Sequence, residues 1–170
     1  MKEQLEKIKE EALKKIEASD ALEKALEARK EEMGILAAKD NKETAAFADV
    51  LFLAVKPQYY QSVIEEIRDT VSMDQILVTI APGKTLEWLA DQFEKPLKII
   101  RTMPNTPAMV KEGMMGMCPN ENVTAEDMET VRDICSGFSK TEIIGEHLMD
   151  VVTAVSGSSP AYVFMFIEAM

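Results

Sequence analysis

The stretch from Asp49 to Pro57, Asp-Val-Leu-Phe-Leu-Ala-Val-Lys-Pro, constrains the fold of this chain more than any other. Residues 50–55 are continuously apolar, few in number, and rich in β-branched and aromatic side chains. A run of that kind fits a strand covered on both faces, as in a parallel sheet flanked by helices. It stops at Lys56-Pro57, where a cation meets a residue that cannot donate to a sheet ladder. Open α/β sheets bind ligands at the carboxyl ends of their strands, so any site is expected to include this tip.

The rest of the chain alternates in the same manner. Strands are expected over residues 75–80, 97–102, 114–118 and 141–144, with a short, weak one over residues 35–38. Helices are expected over residues 40–48, 59–68, 85–93 and 124–138. The third of these is capped by Thr85 and the fourth by Thr124 with Asp127 three positions on. Residues 148–155 read as helical, 156–160 as a break, and 161–170 as an apolar helix. The pattern predicts an α/β layer architecture with a largely parallel sheet and flanking helices.

Residues 1–33 have a different texture, almost entirely Glu, Lys, Ala and Leu. Leu5, Ile8, Ala12 and Ile16 form one apolar stripe at helical spacing, with Glu3–Lys7, Glu10–Lys14 and Glu11–Lys15 as supporting pairs. Asp20 and Glu23 suit a capping box for a second helix over residues 21–33, ended by Gly34. Both charge signs are interspersed there, which fits scaffold better than a docking surface.

A formal net charge of −11 argues against a nucleic-acid or anionic-membrane surface. No apolar run approaches a membrane span, and the N-terminus is too charged for a signal peptide. Cys118 and Cys135 show no CxxC spacing, so reduced thiols and a cytoplasmic location are expected.

Three strand ends carry turn chemistry: Lys56-Pro57, Ala81-Pro82-Gly83 and Met103-Pro104-Asn105. In a parallel sheet all three project from one edge, each offering backbone N–H groups or a small residue to a flat ligand. Lys56 reads as the only cation at these tips, suited either to phosphate or to solvating the strand end. His147, the sole histidine, reads as a solvent-exposed cap, and no spacing of Cys, His or acids indicates a metal. A G-x-G-x-x-G fingerprint, which holds a dinucleotide pyrophosphate, is absent from the sequence.

The segments Asp49-Val-Leu-Phe-Leu-Ala-Val-Lys-Pro57, Ile100-Arg-Thr-Met-Pro-Asn-Thr-Pro-Ala108 and Val155-Ser-Gly-Ser-Ser-Pro-Ala-Tyr162 together resemble pyrroline-5-carboxylate reductase. The resemblance runs from about Gly34 to Met170. It implies reduction of 1-pyrroline-5-carboxylate to L-proline with NADPH or NADH, on a Rossmann-type domain followed by a helical domain that forms homo-oligomers. By motif, Asn41 resembles the residue near the adenosine ribose. Ala54, Val55, Lys56 and Pro57 would line the cofactor, with Lys56 near its ribose or phosphate. Ala81 and Gly83 would pass close to the nicotinamide half. Met103, Pro104, Asn105 and Thr106 would border the nicotinamide and the substrate, and Ser156 to Tyr162 would enter the helical domain.

The resemblance also implies departures. The family begins with a strand, a glycine-rich loop and a helix, where this chain has the helical segment of residues 1–15. Residues 16–20 resemble the second strand only faintly, and residue 170 falls within an apolar helix. The implied architecture is an incomplete or rearranged Rossmann-like sheet. Residues 1–33 form a replacement segment, residues 34–155 the α/β domain, and residues 156–170 the start of a shortened dimerisation domain. The alternative is an engineered or rearranged α/β domain of the same ancestry, without catalysis or cofactor binding. Lacking the phosphate loop, the 170 residues alone are expected to be inactive. Neither nucleic acid nor membrane is an expected partner.

Overall fold

The computed structural model describes residue 28 and residues 32–170. The chain divides into two compact units, Met1–Asp40 and Asn41–Met170. In the first, Glu32 and Met33 are helical and Gly34 follows with φ of 66°, the left-handed geometry that ends a helix. The strand expected over residues 35–38 does not form. Those residues are irregular and exposed, where water can satisfy their backbone groups. The amphipathic stripe, the expected helix over residues 1–15 and most of the one over residues 21–33 fall outside the described residues.

The second unit holds the sheet. Its elements are α1 (Asn41–Phe47), β1 (Val50–Leu53), α2 (Tyr60–Ile67), β2 (Ile76–Thr79), α3 (Leu86–Phe93), β3 (Lys98–Met103), β4 (Gly113–Pro119), α4 (Ala125–Ser136) and β5 (Ser139–Ile143). Strand order follows the chain, β1-β2-β3-β4-β5. β1, β2 and β3 are mutually parallel, with Val50 beside Ile76 and Ile76 beside Lys98. β4 runs antiparallel to β3, with Ile100 opposite Pro119, and β5 is parallel to β4. The reversal has a local cause: only the 3₁₀ turn Thr106–Val110 and its flanks join β3 to β4. A parallel crossover needs a dozen or more residues, so this shorter link returns the chain antiparallel. The result is a mostly parallel, Rossmann-like sheet with flanking helices.

The continuous apolar pattern of the strands reflects burial on both faces. Leu51, Leu53, Leu77 and Ile99 pack against Tyr60, Ile64, Ile67, Leu89 and Phe93 from α2 and α3. Ile76, Val78, Ile100, Met115 and Met117 point the other way, onto Met128, Val131 and Cys135 of α4. All four residues of β2 are buried. The expected caps form as the local sequence dictates. Thr85 Oγ1 accepts from Trp88 N at 3.1 Å, and Thr124 with Asp127 closes a capping box. β1 ends two residues before its apolar run does, because Lys56 already begins the 3₁₀ turn Pro57–Tyr59 and Ala54 and Val55 bend toward it.

The C-terminal arm differs from its sequence expectation. A 3₁₀ turn (Glu146–Leu148), α5 (Met149–Val152), a π-helical turn (Thr153–Gly157) and α6 (Ser159–Ala169) follow one another almost without interruption. The break expected at residues 156–160 is absorbed by the π turn, which widens the helix instead of ending it. Tyr162, Val163, Phe164, Phe166 and Ile167 are all exposed. Glu146–Ala169, of mean hydropathy 1.2, is the one helical stretch among the described residues long and apolar enough to cross a membrane. The expectation that no apolar stretch approaches a span is corrected to that extent. The π turn makes one long helix of segments that read separately as short.

Candidate functional site

Because β1, β2 and β3 are parallel, their carboxyl ends leave the same edge of the sheet. That edge carries Ala54–Pro57 after β1, Ala81–Gly83 after β2, and Met103–Thr106 at the end of β3. The three strand ends singled out in the sequence are therefore neighbours in strand order. Ala54 and Lys56 are exposed, Val55 and Pro57 partly covered, and Ala81 is buried while Pro82 and Gly83 are exposed. Gly83 adopts φ of 73°, and nothing lies within 4 Å of where a Cβ would sit. A flat group can approach the backbone closely there.

Tyr60, unremarked in the sequence, holds two of these strand ends together. Fully buried in the first turn of α2, it donates its hydroxyl to Leu53 O at 2.6 Å and accepts from Ile80 N at 3.3 Å. Desolvation pushes the phenol pKa upward, with the Ile80 and Ala81 amides opposing it.

Asn105 joins the third strand end to the C-terminal arm. Its Oδ1 accepts from Met114 N at 2.9 Å, and its Nδ2 donates to Ser156 Oγ at 3.1 Å. Both amide ends are thus committed, which fixes the side chain's orientation. Gly157 lies against Met103, whose terminal methyl would be 2.7 Å from an added Cβ. An open groove of about 350 Å³ runs beside this junction, lined by Asn105, Pro107, Val155, Ser156, Ser159, Pro160, Val163 and Phe164.

Asn41 sits away from that groove, at the start of α1, and donates its amide to Glu66 Oε2 at 2.7 Å. It shares a small cavity of about 70 Å³ with Ala54 and Val55. The candidate residues therefore fall into two clusters along one edge, Asn41 with the β1 end and Met103–Thr106 with Ser156. Lys56 is not the only cation: Lys84, directly after Gly83, lies 3.9 Å from the Trp88 ring centroid. His147 is exposed, as expected. Among the described residues no cluster of His, Cys, Asp and Glu could hold a metal.

A second unanticipated feature underlies the edge. Arg101, two residues before Met103, is only 4% exposed and donates to Glu146 Oε1 at 2.9 Å, with Asp150 Oδ1 at 3.8 Å. Its sequence signal was a cation inside an apolar strand, which must find an acid when buried. Beside the pair, burial and the Glu146 charge push the Cys118 thiol pKa up, while Arg101 opposes them.

Comparison with known proteins places this geometry in context. A family described as "NADP oxidoreductase coenzyme F420-dependent" matches residues 2–83, and one described as "Pyrroline-5-carboxylate reductase dimerisation" matches residues 146–170. The pyrroline-5-carboxylate reductase of Escherichia coli K12 is 48% identical over 140 residues, covering 82% of this chain and 52% of that protein. A solved pyrroline-5-carboxylate reductase from Coxiella burnetii aligns with TM-score 0.80 at 34% identity, over 85% of this chain and 54% of that one. The Plasmodium falciparum pyrroline carboxylate reductase, solved with NADP bound, aligns with TM-score 0.74 at 37% identity, over 78% and 50%. The chain spans about half the length of the curated relatives it matches.

Proposed function

The chain belongs to the pyrroline-5-carboxylate reductase family, and on that footing we propose that its sheet edge lines the nicotinamide half of an NADPH or NADH site. The reaction proposed there is reduction of 1-pyrroline-5-carboxylate to L-proline. The observation that carries this reading is the convergence of three turn-bearing strand ends on one open edge. The residues present fit the nicotinamide end of such a cofactor. Gly83 leaves open space over the backbone, Ala54 is small and exposed, and the Asn105–Ser156 bond fixes a polar group beside an apolar groove.

A bound dihydronicotinamide would supply the hydride for the imine carbon. The task of the chain is then to orient and to shield, and no covalent nucleophile is needed. Ala54, Val55 and Pro57 present backbone and small apolar surface to the cofactor, and Lys56 supplies a point charge to ribose or phosphate. Ala81 and Gly83 permit close approach of the ring. Met103, Pro104, Asn105 and Thr106 border the substrate. Asn41 faces the adenosine ribose, in exchange for its present bond to Glu66.

The same reading assigns the apolar surface of α6 to a second copy of the chain rather than to a bilayer. The dimerisation match at residues 146–170 and the exposure of Val163, Phe164, Phe166 and Ile167 support it. It also carries the domain division at residues 33 and 155 and a cytoplasmic location. Identity of 48% over 140 residues weighs against an unrelated use of the fold without cofactor.

The test is calorimetric titration with NADPH and NADH, followed by loss of nicotinamide absorbance on adding pyrroline-5-carboxylate. Saturable binding, weakened in Lys56→Ala, is the expected result; no binding and no turnover is what the absent G-x-G-x-x-G loop alone predicts. Absence of binding at millimolar nucleotide would overturn the reading.

A further inference from the structure

Glu146 occupies a position that its exposed, helix-linking sequence context does not announce. One carboxylate oxygen, Oε1, accepts from two donors on separate elements: Arg101 Nη1 of β3 at 2.9 Å and Leu86 N of α3 at 2.7 Å. Leu86 is the first residue of α3, so its N–H is among the donors a helix cannot satisfy internally. Thr85 serves the Trp88 N–H of the same turn, and Glu146 serves Leu86. A carboxylate there also meets the positive end of the helix dipole.

Each donor adjoins one of the strand ends on the candidate edge. Leu86 is three residues after Gly83, and Arg101 is two residues before Met103. Glu146 itself opens the arm that carries Ser156 and α6. The arm is seated by close approaches farther along. Val152 lies 3.3 Å from where a Gly116 Cβ would be, Gly157 packs on Met103, and Asn105 bonds Ser156. Arg101 cannot turn to water for a substitute partner, being buried between strands.

We infer that Glu146, gripped by Arg101, is a positioning residue that sets the register of the arm against the second and third strand ends. Without the grip, the arm keeps its helices but loses its fixed placement, and the groove beside Asn105 and Ser156 loosens. The pair is thus the joint that ties the arm carrying α6 to the sheet edge. The nucleotide consequence rests on the function proposed above; the mechanical one does not.

Hydrogen exchange by NMR on the full chain tests it, with the buried β2 amides as reference for global stability. Glu146→Leu leaves the buried guanidinium only Asp150, at 3.8 Å and itself exposed, and can fail to fold. The double variant Arg101→Met, Glu146→Leu removes both charges together and is expected to fold. In it, exchange at residues 149–157 should quicken about tenfold or more relative to β2. Glu146→Gln keeps an acceptor for Leu86 and should retain its downfield amide signal, while still loosening the arm. NADPH affinity should fall about tenfold in the double variant, a loss near 1.4 kcal/mol. Unchanged exchange in the arm, or equal quickening in β2, would overturn the inference. If the unmodified chain binds no NADPH, the functional reading fails while the exchange ratio still decides the joint.

Discussion

Replacing Tyr60 by Phe isolates one hydroxyl in an otherwise unchanged core. The ring is fully buried, and its oxygen bridges Leu53 O at 2.6 Å and Ile80 N at 3.3 Å. Phe preserves the packing and leaves the Leu53 carbonyl and the Ile80 amide without this partner. A buried polar group stranded in this way costs about 1–3 kcal/mol, and the middle of that range is the expected loss. With a urea m-value of about 2 kcal/mol/M, a loss of about 2 kcal/mol lowers the denaturation midpoint by about 1 M. Urea unfolding followed by circular dichroism gives the midpoint and m together, and m should not change. Tyr59→Phe is the control, since Tyr59 is 55% exposed on the preceding turn. A Tyr60→Phe shift below about 0.2 M, or one matched by Tyr59→Phe, would refute the bridge as a structural element. The bridge also fixes the spacing of the first two strand ends, so nucleotide affinity should fall with stability.

Gly113→Ala should be among the costliest small substitutions, because an added Cβ would lie 2.8 Å from Phe138 O and 2.9 Å from Ala108 Cα. Overpacking against backbone costs about 1–3 kcal/mol, readable as a lowered urea midpoint. Burial works to raise the Asp127 carboxyl pKa, but the Lys98 ammonium at 2.9 Å and the Thr124 bonds outweigh it and hold the pKa low. A lowered folded pKa gives stability that is present above the ordinary Asp value of about 4 and is lost as pH falls through the folded value. Asp127→Asn should flatten that part of the acid limb in urea midpoints measured from neutral pH downward. Cys118 and Cys135 are buried, and desolvation raises both thiol pKa values. Both should therefore resist a thiol reagent at mildly alkaline pH and react at once in denaturant; rapid labelling of the folded chain would contradict their burial.

What could be read from the sequence is what local chemistry decides. The apolar run at β1 announced burial on both faces, and side chains from α2, α3 and α4 provide it. Thr85 and Thr124–Asp127 announced their helices because a cap acts within one turn. The antiparallel entry of β4 depended on the length of a connection, not on the strand itself, and the pattern of Met114–Cys118 carries no direction. The π turn was hidden because Ser, Gly and Pro at residues 156–160 also mark ordinary helix breaks. Tyr60 was missed because a tyrosine at the start of a helix looks like any amphipathic core residue. Arg101 gave a signal, a cation in an apolar strand, yet its partner lies 45 residues away and Leu86 lies 60 from the same carboxylate. With 30 acidic residues in the chain, no local rule selects Glu146.

The central claim is that the carboxyl edge of β1, β2 and β3 receives a nicotinamide nucleotide. Backbone amide shifts recorded while titrating the chain with NADPH test it residue by residue. The account predicts saturable shifts centred on Ala54, Val55, Lys56, Ala81, Gly83 and Asn105, with the β5 amides at the far side of the sheet unmoved. Saturable shifts confined to other surfaces, or none at millimolar NADPH, would contradict it.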